Sequence, residues 1–159
     1  MRAQVTIVAL GETEEALALR TLLETMGHTV RLMKVQNSAR LPSALMTATT
    51  DDVVVLSAKA SDKGLLIGET SIPVAEAFEG VEFRAEAVLI STANAARESG
   101  LVDAMFKAGG HLVAPNGTPE RRLIVPWIAA CLLGADAGLA QAVRGANTLV
   151  QPENRFSYG

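Results

Sequence analysis

Short apolar runs rich in β-branched residues alternate along this chain with stretches that carry a helical repeat. The clearest run, Val-Val-Val-Leu at residues 53–56, is apolar on both faces, as a central parallel strand is. The other runs lie at residues 5–10, 29–35, 87–92 and 111–114, and the run at 29–35 is polar enough to suit an edge. Strands that alternate with helices are typical of parallel sheets. The sequence therefore predicts a single three-layer α/β domain over residues 1–159, with a mostly parallel sheet of about six strands.

The first helical stretch has recognisable ends. Thr13 is a good N-cap, and Glu14 and Glu15 follow it in the first turn, where the helix dipole favours negative charge. Gly27 fits the C′ position that ends a helix. Between these ends lies one apolar stripe at helical spacing, made of Leu19, Leu22, Leu23 and Met26.

Weaker patterns fill the rest of the chain. A second helix is predicted from the apolar face of Leu41, Ala44, Leu45 and Ala48. Thr118-Pro119-Glu120 predicts a helix start with proline at the first helical position, and this helix runs towards Leu133 with a kink at Pro126. The remaining predictions are a polar loop at 57–64, a hairpin arm at 65–67, helices at 73–78 and around 101–106, a helix that Asp136 caps and that ends near Gly145, and weak strands at 148–150 and 156–158.

Composition excludes several classes of function. The net charge is −3 and no cluster of Lys and Arg is present, which argues against a nucleic-acid partner. The apolar runs are too short to cross a membrane, and no secretory segment is evident, so a cytoplasmic protein is expected. The single cysteine, Cys131, and two distant histidines, His28 and His111, give no metal-ligand spacing. Phosphate-binding glycine loops and a nucleophile elbow are also missing, so we expect neither a metal nor a cofactor.

Polar residues follow the predicted central strands at the edge where open parallel sheets place their sites. In such sheets, ligands bind outside the carboxyl ends of the strands. Ordinary solvated turn and capping roles are the alternative for each of these residues. The candidate binding residues are Ser57, Lys59, Asp62, Ser91, Thr92, Asn94, Arg97 and Asn116.

Three segments resemble caspase-like cysteine peptidases and their bacterial relatives with CHAT domains. Residues 53–64 resemble the strand that ends in the catalytic His-Gly pair, and residues 88–95 resemble the next strand, which leads into the loop of the nucleophilic cysteine. Residues 100–115 resemble the helix, glycine turn and strand that follow. The resemblance implies a caspase-like order of elements from residue 5 to about residue 145.

Both catalytic positions of that family are replaced in this chain. Carried over by position, the histidine falls on Lys59 with Ala60 behind it, and the cysteine falls on Asn94 with Ala95 behind it. An ammonium cannot accept the thiol proton and a carboxamide is not a nucleophile, so no catalytic residue is assigned and no peptidase activity is expected. Cys131 lies in an apolar helical stretch and is expected in the core. His28 and His111 stand at the amino end of predicted strands, which is the wrong end for catalysis.

Three hypotheses remain open at this point. The first is a degenerate caspase-like domain that binds a protein partner or associates with itself, with its C-terminal segment as a possible edge strand. The second is a small-anion site or non-peptidase enzyme at the same strand ends, using Lys59 and Arg97 with two helix N-termini. A Ser-Lys pair of Lys59 with Ser91, or with Ser57 if the strand continues, belongs to the same hypothesis. The third is a flavodoxin-like domain of another kind, which the number and order of strands would distinguish.

Overall fold

Six strands form the main sheet of the described chain. The computed structural model describes residues 4–11, 14–48, 53–61, 64–67, 70–73, 76, 87–90, 111–115, 117, 120–133, 138–152 and 155–158. The strands are β1 (Gln4–Leu10), β2 (Thr29–Val35), β3 (Val53–Ser57), β7 (Ala87–Ile90), β8 (His111–Pro115) and β9 (Phe156–Tyr158). Their spatial order is β2-β1-β3-β7-β8-β9. Only β9 runs antiparallel to its neighbour, so the predicted mostly parallel sheet is confirmed.

A second, smaller sheet follows β3 directly. It is antiparallel and consists of β4 (Lys59–Ser61), β5 (Gly64–Ile67) and β6 (Thr70–Ile72). The predicted polar loop at 57–64 is therefore wrong in part, because Ser57 completes β3 and residues 59–61 pair as a strand. The segment Lys-Ala-Ser is too short to show a strand period, and its strand conformation comes from pairing with the apolar β5.

The described residues contain four α-helices: α1 (Glu14–Thr25), α2 (Leu41–Ala48), α3 (Arg121–Leu133) and α4 (Leu139–Ala146). Successive strand residues point to opposite faces of the main sheet. On one side, the α2 face, Val54 and Leu56 of β3 pack with α2 and with Leu65 and Ile67 of β5. On the other side, the α1 face, Val53 and Val55 pack with α1, α3 and α4. The three-layer α/β arrangement is thus confirmed.

The end of α1 follows the predicted signals. Gly27 has φ 96°, and its N–H donates to the carbonyl of Glu24 (3.0 Å) while the N–H of His28 donates to that of Leu23 (3.1 Å). This pair of bonds is the Schellman motif. The predicted stripe is narrower than expected, because Leu19 and Leu23 are buried while Leu22 is partly exposed on the outer side of the helix.

The C-terminal segment is fastened by three residues. The rings of Trp127 and Phe156 stack with centroids 3.8 Å apart and planes 17° from parallel. Asn147 accepts hydrogen bonds at Oδ1 from Trp127 Nε1 (3.2 Å) and from the N–H of Phe156 (2.9 Å). Its Nδ2 donates to the carbonyl of Phe156 (3.0 Å). One asparagine thus joins α3, the end of α4 and β9.

The weaker sequence predictions have mixed outcomes. The strand at 156–158 is confirmed as β9, whereas the strand at 148–150 is wrong because residues 147–149 form a 3₁₀ helix. The helix after Glu120 is confirmed as α3, with Pro126 inside it. The predicted helix around 101–106, most of the one at 73–78, and the capping residues Thr13, Thr118 and Pro119 lie outside the described residues.

Candidate functional site

The carboxyl ends of the parallel strands lie at one edge of the main sheet. In the register of the central pairs, Ala9 of β1 is opposite Ser57 of β3, and Leu56 is opposite Ile90 of β7. The corner between β1 and β2 is tied at this edge. There the N–H of Gly11 donates to the carbonyl of Val35 (3.0 Å), and Gln36 Nε2 donates to the carbonyl of Gly11 (2.9 Å). These two hydrogen bonds hold the ends of β1 and β2 together at the carboxyl edge.

Ser57 is the predicted site residue that the structure describes most fully. It ends β3, is only 3% exposed, and lies on the α1 face because it follows Val53 and Val55 at the strand period of two. No hydrogen bond joins its hydroxyl to another described residue. A serine hydroxyl can both donate and accept a hydrogen bond.

Lys59 belongs to a different sheet from Ser57. Its backbone opens β4 and pairs with Leu66 of β5, while β3 ends two residues earlier. A Ser57–Lys59 pair on one strand face requires that β3 continue through Lys59. Since the chain changes sheets at Ala58, which is buried in the α2-face core, that condition is not met.

The other candidate binding residues lie outside the described part of the chain. They are Asp62, Ser91, Thr92, Asn94, Arg97 and Asn116. The strands that precede most of them in sequence, β7 and β8, end at Ile90 and Pro115 on the same carboxyl edge. The replaced cysteine position at Asn94 thus stays a prediction from sequence.

The cysteine and the histidines lie where the sequence predicted. Cys131 is fully buried in the α1-face core, and this burial raises the pKa of its thiol to about 12. His28 directly precedes β2 and His111 opens β8, so both lie at the amino end of the sheet, opposite the candidate site. Burial lowers the pKa of His28 below its ordinary value. None of the three belongs to the carboxyl edge.

One groove was not anticipated from the sequence. It has a volume of about 350 Å³ and lies between the start of α3 and residues 148–152. Arg122 in its wall pairs with Glu120, and both side chains are exposed. No sequence signal predicts it, because its walls come from residues 120–123 and 148–152, which are far apart in the chain. Its lining residues are Glu120, Arg122, Leu123, Thr148, Leu149, Val150, Gln151 and Pro152.

The described part of the chain contains no group of three or more His, Cys, Asp or Glu residues placed to hold a metal ion. No helix among the described residues is long and apolar enough to cross a membrane.

Comparison with known proteins assigns no family to this chain. No protein-family model matches it, and no curated protein matches it. Among solved structures, it is similar to the apo-structure of D-lactate dehydrogenase from Escherichia coli, with 15% sequence identity and a TM-score of 0.43. The match covers 91% of this chain and 39% of that one. A likeness this weak carries no argument about function.

Proposed function

We propose that this chain is a caspase-like domain without peptidase chemistry, and that it binds a protein partner along β4, the strand of the small sheet that follows the carboxyl end of β3. The observation that carries the proposal is the pairing at position 59. The residue that corresponds to the catalytic histidine is a lysine whose backbone is fixed in β4 opposite Leu66. A lysine ammonium does not take a proton from a thiol, whereas it suits the binding of a carboxylate.

The strand count supports the caspase-like interpretation over a receiver-type domain. The five parallel strands, β2-β1-β3-β7-β8, have the spatial order that flavodoxin-like sheets also use. The sixth strand, β9, extends the sheet beyond those five and runs antiparallel. The order of elements predicted from the resemblance is therefore compatible with the described strands.

The small sheet offers a means of binding. β4 and β6 are its outer strands within the described residues, and β4 is separated from β3 by Ala58 alone. An outer strand presents backbone N–H and C=O groups with which an extended peptide can pair. The partner in this proposal supplies an extended acidic segment, which pairs with β4 and places a carboxylate near Lys59.

The proposal is tested by capture with immobilised protein and crosslinking at the bound segment. Wild type is compared with Lys59→Ala/Asn94→Ala, and Lys34→Ala on the exposed edge strand β2 is the matched control. We expect one protein to be captured by wild type and by the control, lost by the double variant, and crosslinked near β4. A peptidase activity that Asn94→Ala abolishes would overturn the proposal, as would capture that the double variant leaves unchanged.

A small anion is the second candidate ligand, and the buried Ser57 hydroxyl favours it. Ser57 lies at the carboxyl end of β3 and is only 3% exposed. The test is the thermal stability of the chain in increasing phosphate at constant ionic strength. A rise in Tm that Ser57→Ala, Lys59→Ala and Arg97→Ala each remove, and that Lys34→Ala keeps, supports this ligand. An equal rise in all five proteins shows only a general salt effect.

A further inference from the structure

The outer edge of β9 is one end of the main sheet, where another strand would extend it. Successive residues of an antiparallel strand direct their backbone N–H and C=O groups alternately towards the paired strand and away from it. Both backbone groups of Phe156 are bound by Asn147, so they point away from β8. Ser157, opposite Ala114, accordingly faces β8, and Tyr158 again faces outward.

Asn147 occupies the place that a neighbouring strand would take at Phe156. A carboxamide carries the same donor and acceptor as a peptide group, and it makes both bonds that a hydrogen-bonded strand pair exchanges. The indole of Trp127, which is fully buried, fixes the orientation of this amide. A flipped amide would set its NH₂ group against two donors, Trp127 Nε1 and the N–H of Phe156.

We infer that Asn147 closes the β9 edge against antiparallel pairing with a second copy of this chain. With Phe156 covered, Tyr158 is the one residue of β9 whose backbone groups still face outward, and a single residue is too little for a stable strand pair. Loss of the amide uncovers Phe156 as well. Two copies related by a twofold axis then each present two outward-facing residues to the other.

Amide hydrogen exchange of the wild type tests the edge without any substitution. In a monomeric sample we expect the Phe156 and Ser157 amides to be protected and the Tyr158 amide to exchange at least about tenfold faster than either. Fast exchange at Phe156 would overturn the inference. Protection of Tyr158 equal to that of Phe156 in a dimeric sample would overturn it too, because the edge would then already be paired.

Substitution tests the consequence for association, measured by sedimentation over a hundredfold range of protein concentration. We expect Asn147→Ala to shift from monomer to dimer with rising concentration. Thr148→Ala is the matched control, because this substitution removes one exposed hydrogen bond to the carbonyl of Gly145 and leaves Phe156 covered by Asn147. We expect the Thr148→Ala chain to stay monomeric. The double variant Asn147→Ala/Tyr158→Pro lacks the outward backbone N–H of residue 158, because proline has none, so we expect it to be monomeric again. A folded Asn147→Ala chain that stays monomeric, or a double variant that still dimerises, would refute the inference.

Discussion

At the residue scale, Gly27 and Gly145 differ in whether their backbone accepts a side chain. Gly27 has φ 96° at the end of α1, a conformation that costs an L-residue about 1 kcal/mol. Gly145 lies in α4, where an added Cβ meets nothing within 4 Å. We expect Gly27→Ala to lower the free energy of unfolding by about 1 kcal/mol and Gly145→Ala to raise it by about 0.5 kcal/mol, by urea titration. Changes of the same sign in the free energy of unfolding would contradict the conformations described for Gly27 and Gly145.

Cys131 is expected to be chemically silent while the chain is folded. Its pKa of about 12, against 9.0 for a free thiol, leaves about a thousandfold less thiolate at pH 8 than in the unfolded chain. A disulfide reagent should label Cys131 slowly in buffer and rapidly in urea, with Cys131→Ala as the blank. Rapid labelling of the folded chain would place the thiol in contact with solvent instead of the core.

His28 makes stability depend on pH in one direction. Because burial lowers its pKa in the folded chain, the unfolded chain binds more protons just below the ordinary pKa of 6.5. Stability therefore falls as pH decreases from about 7.5 through that window. We expect wild type to lose more stability between pH 7.5 and 5.5 than His28→Gln, by urea titration at each pH. Equal losses would show that His28 is not the group responsible.

At the scale of elements, α2 contributes to the core on its side of the main sheet through a few side chains. Leu45 is fully buried there, whereas Leu133 at the end of α3 is 70% exposed. We expect Leu45→Ala to cost about 2–4 kcal/mol of stability and Leu133→Ala less than about 0.5 kcal/mol. Chemical denaturation of both variants measures the difference. Similar costs would mean that α2 does not pack as described.

The elements also show what sequence patterns can predict. The buried strands β1 and β3 are predictable because apolar runs mark them, and the more polar β2 is predictable as an edge strand. The end of α1 is predictable because Gly27 is a strong signal. β4 is not predictable locally, because the three residues Lys-Ala-Ser are too few to show a strand period. The segment Thr148–Val150 looks like a strand but turns as a 3₁₀ helix, which follows the end of α4 and keeps Asn147 beside Phe156. Asn147 and Phe156 are nine residues apart in the chain, and Asn147 and Trp127 are twenty apart, so no local pattern predicts these hydrogen bonds.

The position of Ser57 was predictable, whereas its role was not. The strand pattern placed Ser57 at the carboxyl end of β3, and the structure has it there. Its burial, and the change of sheet before Lys59, depend on how β3 and β5 pack, which no local pattern encodes. Long-range packing also decides which residues of a loop reach a ligand, so all the candidate binding residues stay predictions.

For the whole molecule, the two outer strands of the main sheet are protected in different ways. β2 carries the charged residues Arg31 and Lys34, which discourage further strand pairing. β9 is short and is covered at Phe156 by Asn147. A sheet with a mostly apolar interior thus has an outer strand protected by charge and another protected by a side-chain amide.

The stacking of Trp127 on Phe156 has a consequence for spectroscopy. Trp127 is the chain's sole tryptophan, so all emission excited at 295 nm comes from one ring that contacts β9. Intrinsic fluorescence therefore reports the docking of the C-terminal strand, while far-ultraviolet circular dichroism reports the helices. If β9 detaches before the rest of the chain unfolds, the emission will shift to longer wavelength at a lower denaturant concentration than the loss of helical signal. Coincident transitions would show that the C-terminal strand and the core unfold as one cooperative unit.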